Sequence, residues 1–279
     1  MSYGSNMNKS ATDPFYVPAK KSLGQHFLNS PMVPTWLCET GELNPDRPVL
    51  EIGPGTGVLT QELLKRGVAV VALETDTRSI TALRERFCSA IENEQLHIYE
   101  GDARDGIPAH PLLTDHSYQV VANIPYYLTG LILRTYLEST TQPTRMTLLV
   151  QKEVAERIAR SQKSSLLQIA VKVFGTPRYV RTVKNGHFSP APRVDSAILD
   201  ITDITHQRVP LDSRDTFFRL VKAGFAHKRK QLAHNLQKTY PQKAISEILL
   251  QIDIPPSIRA EDVDLETWLK LNQTLTDTE

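Results

Sequence analysis

A short apolar run, Val49-Leu50-Glu51-Ile52, breaks into Gly53-Pro54-Gly55-Thr56-Gly57, and Val58, Leu59, Leu63 and Leu64 follow at helical spacing. Strand, glycine turn and amphipathic helix in direct succession predict a parallel β–α unit, because a parallel strand needs a crossover and the helix supplies it. The pattern then recurs. Residues 68–73 form a second β-type run closed by Glu74. Thr77 is expected to cap the next helix, where Ile80, Leu83 and Phe87 repeat at three and four. Residues 96–99 read as a third strand running into Gly101-Asp102-Ala103, residues 118–122 as a fourth ending in Asn123, and residues 146–150 as a fifth. Strands alternating with helices call for an α/β fold, a parallel sheet covered on both faces.

The later chain reads differently. Residues 178–183 and 196–201 are β-type with no long helix between them, which predicts a late antiparallel pair added to the sheet. Beyond residue 203 the β pattern stops. Phe217, Leu220, Val221 and Phe225, then Leu232 and Leu236, then Ile245, Ile248 and Leu249, then Val263, Leu265, Trp268 and Leu269 mark short helices. The chain of 279 residues suits one domain and a smaller partner. The expected organisation is a flexible arm over 1–19, an α/β domain over 20–204 and an all-helical domain over 205–279.

Bulk properties exclude several classes. Cys38 and Cys88 lie far apart with no second pair, so neither a zinc spacing nor a disulfide framework is expected, and a reducing compartment is. No apolar stretch reaches membrane-spanning length. Residues 1–18 are polar with one basic residue, Lys9, unlike a signal or transit peptide, so a cytoplasmic protein is expected. Net charge is only +1, but its distribution is uneven. Residues 218–243 hold seven Lys/Arg, namely Arg219, Lys222, Lys228, Arg229, Lys230, Lys238 and Lys243, and no Asp or Glu. Residues 145–184 hold nine Lys/Arg against Glu153 and Glu156. Such stretches suit a phosphate backbone, or else are solvated helix faces.

Three features at successive strand ends carry chemistry. Glycines between a first strand and a first helix let backbone approach a ligand, and the helix N-terminus favours negative charge. The spacing is G-x-G-x-G, not the G-x-G-x-x-G of dinucleotide binders. Glu74 ends the second strand, where ribose hydroxyls could be gripped, and Asp102 follows the third, where it could accept from an adenine amino group. Together they describe a nucleoside-containing cofactor along the carboxyl edge of the sheet. Asn123-Ile124-Pro125-Tyr126 adds an amide, a turn fixed by proline and an aromatic face. That set can hold an exocyclic amine still, whether of adenine, cytosine or a glutamine-like amide.

These residues resemble those of S-adenosylmethionine-dependent methyltransferases and, more narrowly, of the ribosomal RNA adenine dimethyltransferases. The likeness runs from about residue 20 to about residue 271. It rests on Lys21-Ser22-Leu23-Gly24-Gln25-His26-Phe27-Leu28, Glu51-Ile52-Gly53-Pro54-Gly55-Thr56-Gly57, Gly101-Asp102-Ala103 and Asn123-Ile124-Pro125-Tyr126-Tyr127. Further matches are Gln151-Lys152-Glu153-Val154-Ala155, Phe188-Ser189-Pro190-Ala191-Pro192-Arg193-Val194-Asp195-Ser196 and Phe225-Ala226-His227-Lys228-Arg229-Lys230-Gln231-Leu232.

The resemblance implies a Rossmann-like methyltransferase sheet with a smaller all-helical C-terminal domain. S-adenosyl-L-methionine is the implied cofactor. Its implied site comprises Gln25, His26, Phe27 and Leu28 folding over it, Gly53, Gly55 and Gly57 near its methionine part, Glu74 on the ribose, Asp102 and Ala103 at the adenine, and Asn123. Asn123, Ile124, Pro125 and Tyr126 are the implied catalytic turn, with Phe188 as a second stacking face. Arg219, Lys222, Lys228, Arg229 and Lys230 are the implied RNA contacts. The implied substrate is two adjacent adenosines in the 3′-terminal stem-loop of 16S small-subunit ribosomal RNA, dimethylated at N6 within the subunit or its precursor by a monomer. No metal and no membrane partner is expected. His26 and Tyr127 stand where many members carry asparagine.

Three other readings are weighed. The related methyltransferases of large-subunit ribosomal RNA share the cofactor motifs, but the stretches 225–236 and Arg259-Ala260-Glu261 resemble the small-subunit family. A non-catalytic ribosome-assembly factor could dispense with Glu74, Asp102 and Asn123, all of which are present. An NAD-dependent oxidoreductase leaves the 123–126 turn unexplained.

Overall fold

The computed structural model describes Phe15 and residues 17–277. Its elements run β1 (Phe27–Leu28), α1 (Met32–Gly41), β2 (Val49–Ile52), α2 (Val58–Lys65), β3 (Val70–Glu74), α3 (Thr77–Arg86), α4 (Cys88–Glu92) and β4 (Leu96–Glu100). Then come β5 (Gln119–Asn123), α5 (Thr129–Leu137), β6 (Arg145–Gln151), α6 (Lys152–Ala159), α7 (Leu166–Lys172), β7 (Thr176–Val183), β8 (Phe188–Ser189) and β9 (Ser196–Thr202). The chain finishes with α8 (Arg214–Gly224), α9 (Leu232–Thr239), α10 (Ile245–Gln251) and α11 (Leu265–Asp277).

The five expected parallel strands form within two residues of their predicted bounds; four are runs buried on both faces, and the edge strand β4 is only partly buried. β2 and β3, for example, are buried at every position. Seven strands make one sheet in the order β4-β3-β2-β5-β6-β9-β7. The pairs β2–β3, β2–β5, β3–β4 and β5–β6 are parallel. The late strands β9 and β7 are neighbours at the end of the sheet, as their proximity in sequence suggests. One correction is local: Asp76, not Thr77, caps α3, its carboxylate accepting from the Arg78 backbone N–H at 3.2 Å.

Strand order fixes where a ligand can sit. From β2 the chain winds outward through β3 to β4, then returns to lay β5 on the other side of β2. The connections leave β2 and β5 in opposite directions, so a crevice opens at their carboxyl ends. Ile52 is in register with Leu73 on one side and Ala122 on the other. The next residues are Gly53, Glu74 and Asn123, so three expected site residues stand side by side on one edge.

Two compact units result. One comprises residues up to Lys152 with Val180–Asp200, and the other Glu153–Tyr179 with residues from Ile201 onward. The segment Glu153–Tyr179 thus groups with the later helices, although the sequence reading assigns it to the α/β domain. It contains α6 and α7, whose Val154, Ala155, Ile158, Ile169 and Val171 are buried. Most of the expected arm lies outside the described residues. Its last part is anchored: Val17 is buried, and the Pro18 carbonyl accepts from Arg78 Nη1 at 3.2 Å. Among the described residues no helix is long and apolar enough to cross a membrane.

In the second unit Phe217, Leu220, Val221, Leu232, Leu236, Ile245, Leu249 and Trp268 are all buried, as the periodicity predicts. Gly224 abuts Trp268 so closely that a Cβ would lie 2.3 Å from the indole Cη2. The fully buried Trp268 stacks on Phe225 with centroids 5.8 Å apart.

Candidate active site

The glycine turn after β2 adopts the conformation that its residues permit. Gly53 and Gly55 have φ of +67° and +56°, a region that L side chains rarely enter. A Cβ on Gly53 would meet only the Asn123 carbonyl, at 4.0 Å, so the turn leaves open space there. A Cβ on Gly55 would lie 2.7 Å from the Phe27 ring. Gly57 has a different task. It caps α2, and a Cβ there would collide with Phe87 and Leu83.

Glu74 orders the turn. Its Oε2 accepts from the Gly55 N–H at 3.0 Å, and its Oε1 from the N–H groups of Thr75 and Asp76 at 2.8 and 2.9 Å. Burial pushes its carboxyl above the usual range, opposed by those three donors. A carboxylate offers about four acceptor sites, so Oε2 keeps one for a further hydroxyl. Asp102 is held likewise. It accepts from the Arg104 backbone N–H at 2.9 Å and from that guanidinium at 2.8 and 2.6 Å, and these bonds hold its carboxyl below the usual range.

The motif around Gln25 reaches the same edge through two contacts. Gln25 Nε2 donates to Asp76 Oδ2 at 3.2 Å, and Asn123 Nδ2 donates to the His26 carbonyl at 3.1 Å. A carbonyl only accepts, so the Asn123 amide must face it with nitrogen, and its Oδ1 is left as an acceptor. Beyond Asn123, Pro125 leads into a short 3-10 turn over Tyr126–Leu128. The Tyr126 hydroxyl lies 2.6 Å from Ser196 Oγ, which fixes the ring, and His26 stacks on that ring at 5.8 Å and 24°.

The cleft these residues bound brings together Gln25, His26, Phe27, Gly53, Gly55, Glu74, Asp102, Ala103 and Asn123, with Ile124, Pro125 and Tyr126. A second cavity shares Gly24, Gln25, His26 and Tyr126 with it and is otherwise walled by Ala19, Gln151 and the 190–194 segment. Three expected residues stand elsewhere. Gly57 is under α2, as described. Leu28 and Phe188 face each other in the short β1–β8 antiparallel pair and are buried in the core. Pairing turns Leu28 inward while Phe27 lies in the cleft, the alternation any strand imposes. The 64 % exposed Tyr127 lines the cleft and packs beside Gly24.

Sequence reasoning missed Asp76, Arg104 and Glu51. Asp76 binds Arg78 at 3.0 and 2.6 Å as well as Gln25, and the Arg78 contacts hold its carboxyl down at about 2. An acid at the start of a helix was the signal available. Glu51 is fully buried in β2. Its Oε2 accepts from Thr60 Oγ1 at 2.7 Å, while its Oε1 has no partner. Burial pushes its carboxyl up to about 8, the Thr60 bond opposing and the nearby Glu74 adding. A carboxyl inside an apolar run was the visible anomaly.

The Glu51 shift has a stability consequence with a definite sign. The unfolded chain gives up this proton near the ordinary glutamate value of 4.5, and the folded chain only at about 8. Between these values the unfolded state binds fewer protons, so stability falls as pH rises through that window. Glu51→Gln keeps the acceptor for Thr60 and removes the titration. Its Tm at pH 8 is expected to exceed the wild type's by roughly 5 °C, with no gain at pH 4.5. Thermal unfolding across pH 4.5–8 checks this, and parallel curves for the two proteins would refute it. A second expectation concerns Gly55. Gly55→Ala strains φ and pushes on Phe27, so affinity for S-adenosylhomocysteine should fall about 30-fold by calorimetry, with Tm changed by only a few degrees. Unchanged affinity would exclude Gly55 from the cofactor site.

In the second unit, Arg219, Lys222, Lys228, Arg229 and Lys230 are all exposed. The last three occupy the turn between α8 and α9. The buried Asn235 ties that turn down, its Nδ2 donating to the carbonyls of Gly224 at 2.6 Å and His227 at 3.2 Å. The other basic stretch is less uniform. Arg145 is buried against Asp200, Lys163 pairs with Asp262, and Lys184 pairs with Asp195 at 2.8 Å. These three are partnered within the protein, so that stretch is less basic outward than its composition.

Known proteins resemble this chain over most of its length. The family model described as ribosomal RNA adenine dimethylase matches residues 17–277. A ribosomal RNA small subunit methyltransferase A of Dehalococcoides mccartyi is 37 % identical, over 94 % of this chain and 90 % of that one. Among solved structures, a dimethyladenosine transferase from Plasmodium falciparum superposes with a TM-score of 0.76 at 25 % identity, covering 90 % of this chain and 98 % of that one. The 23S rRNA methyltransferase ErmE superposes with a TM-score of 0.69 at 28 % identity, covering 90 % and 99 %.

Proposed function

The chain belongs to the ribosomal RNA adenine dimethylase family, and from that premise we infer that it is an S-adenosylmethionine-dependent enzyme that dimethylates N6 of two adjacent adenosines in 16S small-subunit ribosomal RNA. We place its substrate in the 3′-terminal stem-loop, in the small subunit or its cytoplasmic precursor, with a part in subunit biogenesis. The observation that carries this reading is the Asn123 amide, oriented by the His26 carbonyl and placed beside Glu74 and the glycine turn on one sheet edge.

The residues fit the cofactor. Gly53 leaves a space that a side chain would fill, Glu74 keeps an acceptor for a ribose hydroxyl, and Asp102 is held ionised at the far end of the cleft. S-adenosylmethionine supplies a methyl group on a sulfonium, already activated for displacement. Gln25 and Phe27 would close over it, and Ala103 would border its adenine.

The protein's own task is to present the amine. Adenine N6 is a poor nucleophile because its lone pair is delocalised into the ring. Asn123 Oδ1 and the Ile124 carbonyl accept the two N6 hydrogens, which favours the tetrahedral amine and turns its lone pair toward the methyl. Pro125 keeps the turn rigid, and Tyr126, braced by Ser196, offers the stacking face. Phe188 is buried, so the second face we assign instead to the cavity wall at 190–194. The contribution is positioning and electrostatics. The base must first leave its stack, at a cost of about a few kcal/mol. Phosphate contacts from Arg219, Lys222, Lys228, Arg229 and Lys230 offset that cost.

Primer extension on small-subunit RNA after incubation with protein and S-adenosylmethionine tests the reading. Stops at two adjacent adenosines of the 3′-terminal stem-loop are expected. Modification of large-subunit RNA alone would replace it with the activity named for the 23S enzyme, and no modification of either would leave an RNA-binding assembly factor.

A further inference from the structure

The two cavities meet along a wall shared by Gly24, Gln25, His26 and Tyr126. His26 lines both, and it makes three contacts that belong to different parts of the site. Its ring Nδ1 lies 2.7 Å from the Pro190 carbonyl, its ring stacks on Tyr126, and its own carbonyl receives the Asn123 amide. The Pro190 carbonyl only accepts, so Nδ1 must carry the proton and donate. The 190–194 segment, one wall of the second cavity, is thereby joined through a single residue to the amide that orients the amine.

We propose that His26 is a positioning residue for methyl transfer, splinting the wall at 190–194 to Asn123 through its Nδ1–H donor. This rests on the reading of the site as an adenine N6-methyltransferase. This role on the base side is additional to the cofactor contact that the motif implies for His26, which lines the cofactor cleft as well. Main-chain geometry explains the choice of residue. β1 begins at Phe27, whose ring lies against the glycine turn, so strand alternation sends the preceding side chain to the other side, toward Tyr126 and Pro190. The donor sits on the atom bonded to Cγ. Asparagine carries an N–H at the same position, and phenylalanine offers a ring of similar area without it.

The substitutions separate donor from ring. His26→Ala and His26→Phe should each lower kcat about tenfold, with KM for RNA and the Kd for S-adenosylhomocysteine changed by less than about threefold. His26→Asn should recover kcat to within about threefold of the wild type. A readout independent of activity is the rate of tryptic cleavage after the exposed Arg193. It should rise in His26→Ala and His26→Phe and stay near the wild-type rate in His26→Asn, because the donor to the Pro190 carbonyl then adds its restraint to the one that Asn185 Nδ2 makes to the Pro192 carbonyl at 3.3 Å.

An active His26→Phe with an impaired His26→Asn would overturn the proposal in favour of stacking. A cofactor Kd that weakens in step with kcat would overturn it by assigning the loss to a cofactor contact. Wild-type rates in all three would leave His26 without a positioning role. If His26→Ala does not fold, the comparison of His26→Asn with His26→Phe decides alone. Absence of methyl transfer by the wild type would count against the methyltransferase reading, while the cleavage rates would still judge the splint.

Discussion

Asn123→Ala is expected to lower kcat for methyl transfer by about 10²–10³-fold, the range seen when one preorganised polar group is removed from a transition state. The loss follows from what the side chain does. Its Nδ2 is engaged by the His26 carbonyl at 3.1 Å, which leaves Oδ1 as a fixed acceptor for an N6 hydrogen. Alanine removes that acceptor and leaves the Ile124 carbonyl to work alone. Water in the vacated space would solvate the planar amine as well as the tetrahedral one, so it restores little selectivity for the transition state. Glu74, Asp102 and the glycine turn are untouched, so the Kd for S-adenosylhomocysteine should change by less than about threefold. Asn123→Asp should be impaired too, because a carboxylate oxygen cannot donate to the His26 carbonyl and is repelled by it. A tritiated-methyl assay on small-subunit RNA, with calorimetry for the cofactor, checks both. Full activity in Asn123→Ala would remove this residue from the mechanism.

Asp200→Ala is expected to destabilise the protein by about 3–5 kcal/mol, since it leaves a buried guanidinium without its partner. Asp200 is completely buried in β9 and takes a fork from Arg145 in the neighbouring β6, Nε to Oδ1 at 2.8 Å and Nη2 to Oδ2 at 2.9 Å. Thr147 Oγ1 donates to the same Oδ1 at 3.2 Å. Glu42 offers Arg145 a second contact at 3.1 Å, but that carboxylate is largely exposed and screened, so it rescues little. For a chain of this length the Tm should fall by roughly 10 °C. The combined Arg145→Met and Asp200→Leu variant should recover much of the loss, because apolar groups of similar size need no partner. Denaturant unfolding of the single and double variants measures this, and a loss below about 1 kcal/mol in Asp200→Ala would show that the pair is not a structural anchor. β6 pairs with β5 at Asn123↔Leu149, so the same anchor steadies the strand that carries Asn123.

The pair also shows where sequence reading stops. Arg145 was counted among nine basic residues available to a phosphate backbone, yet it is 8 % exposed and faces Asp200. Charge counts along a chain cannot tell a paired buried arginine from a free one, because the partner lies 55 positions away. The same limit applies to Phe188. Its motif placed it beside the reacting base, but whether an aromatic ring enters a cavity or the core depends on strand pairing. Here Leu28↔Phe188 turns it inward. Asp76 escaped for a related reason. A helix cap was expected one residue later, and its second use, holding Gln25, joins positions 51 apart.

The chain by itself determined the parallel sheet, the helical C-terminal part, and the acids and amide at the strand ends. Apolar periodicity, glycine turns and residues at fixed offsets from a strand are local properties, and local properties survive translation into one dimension. Tertiary structure alone decided which of those residues share a wall. Pairing of β2 with both β3 and β5 put Gly53, Glu74 and Asn123 on one edge. The meeting of residues 26 and 190 made two cavities with a common partition. Such contacts depend on strand order and register, which are set by global packing and are written at no single place in the sequence.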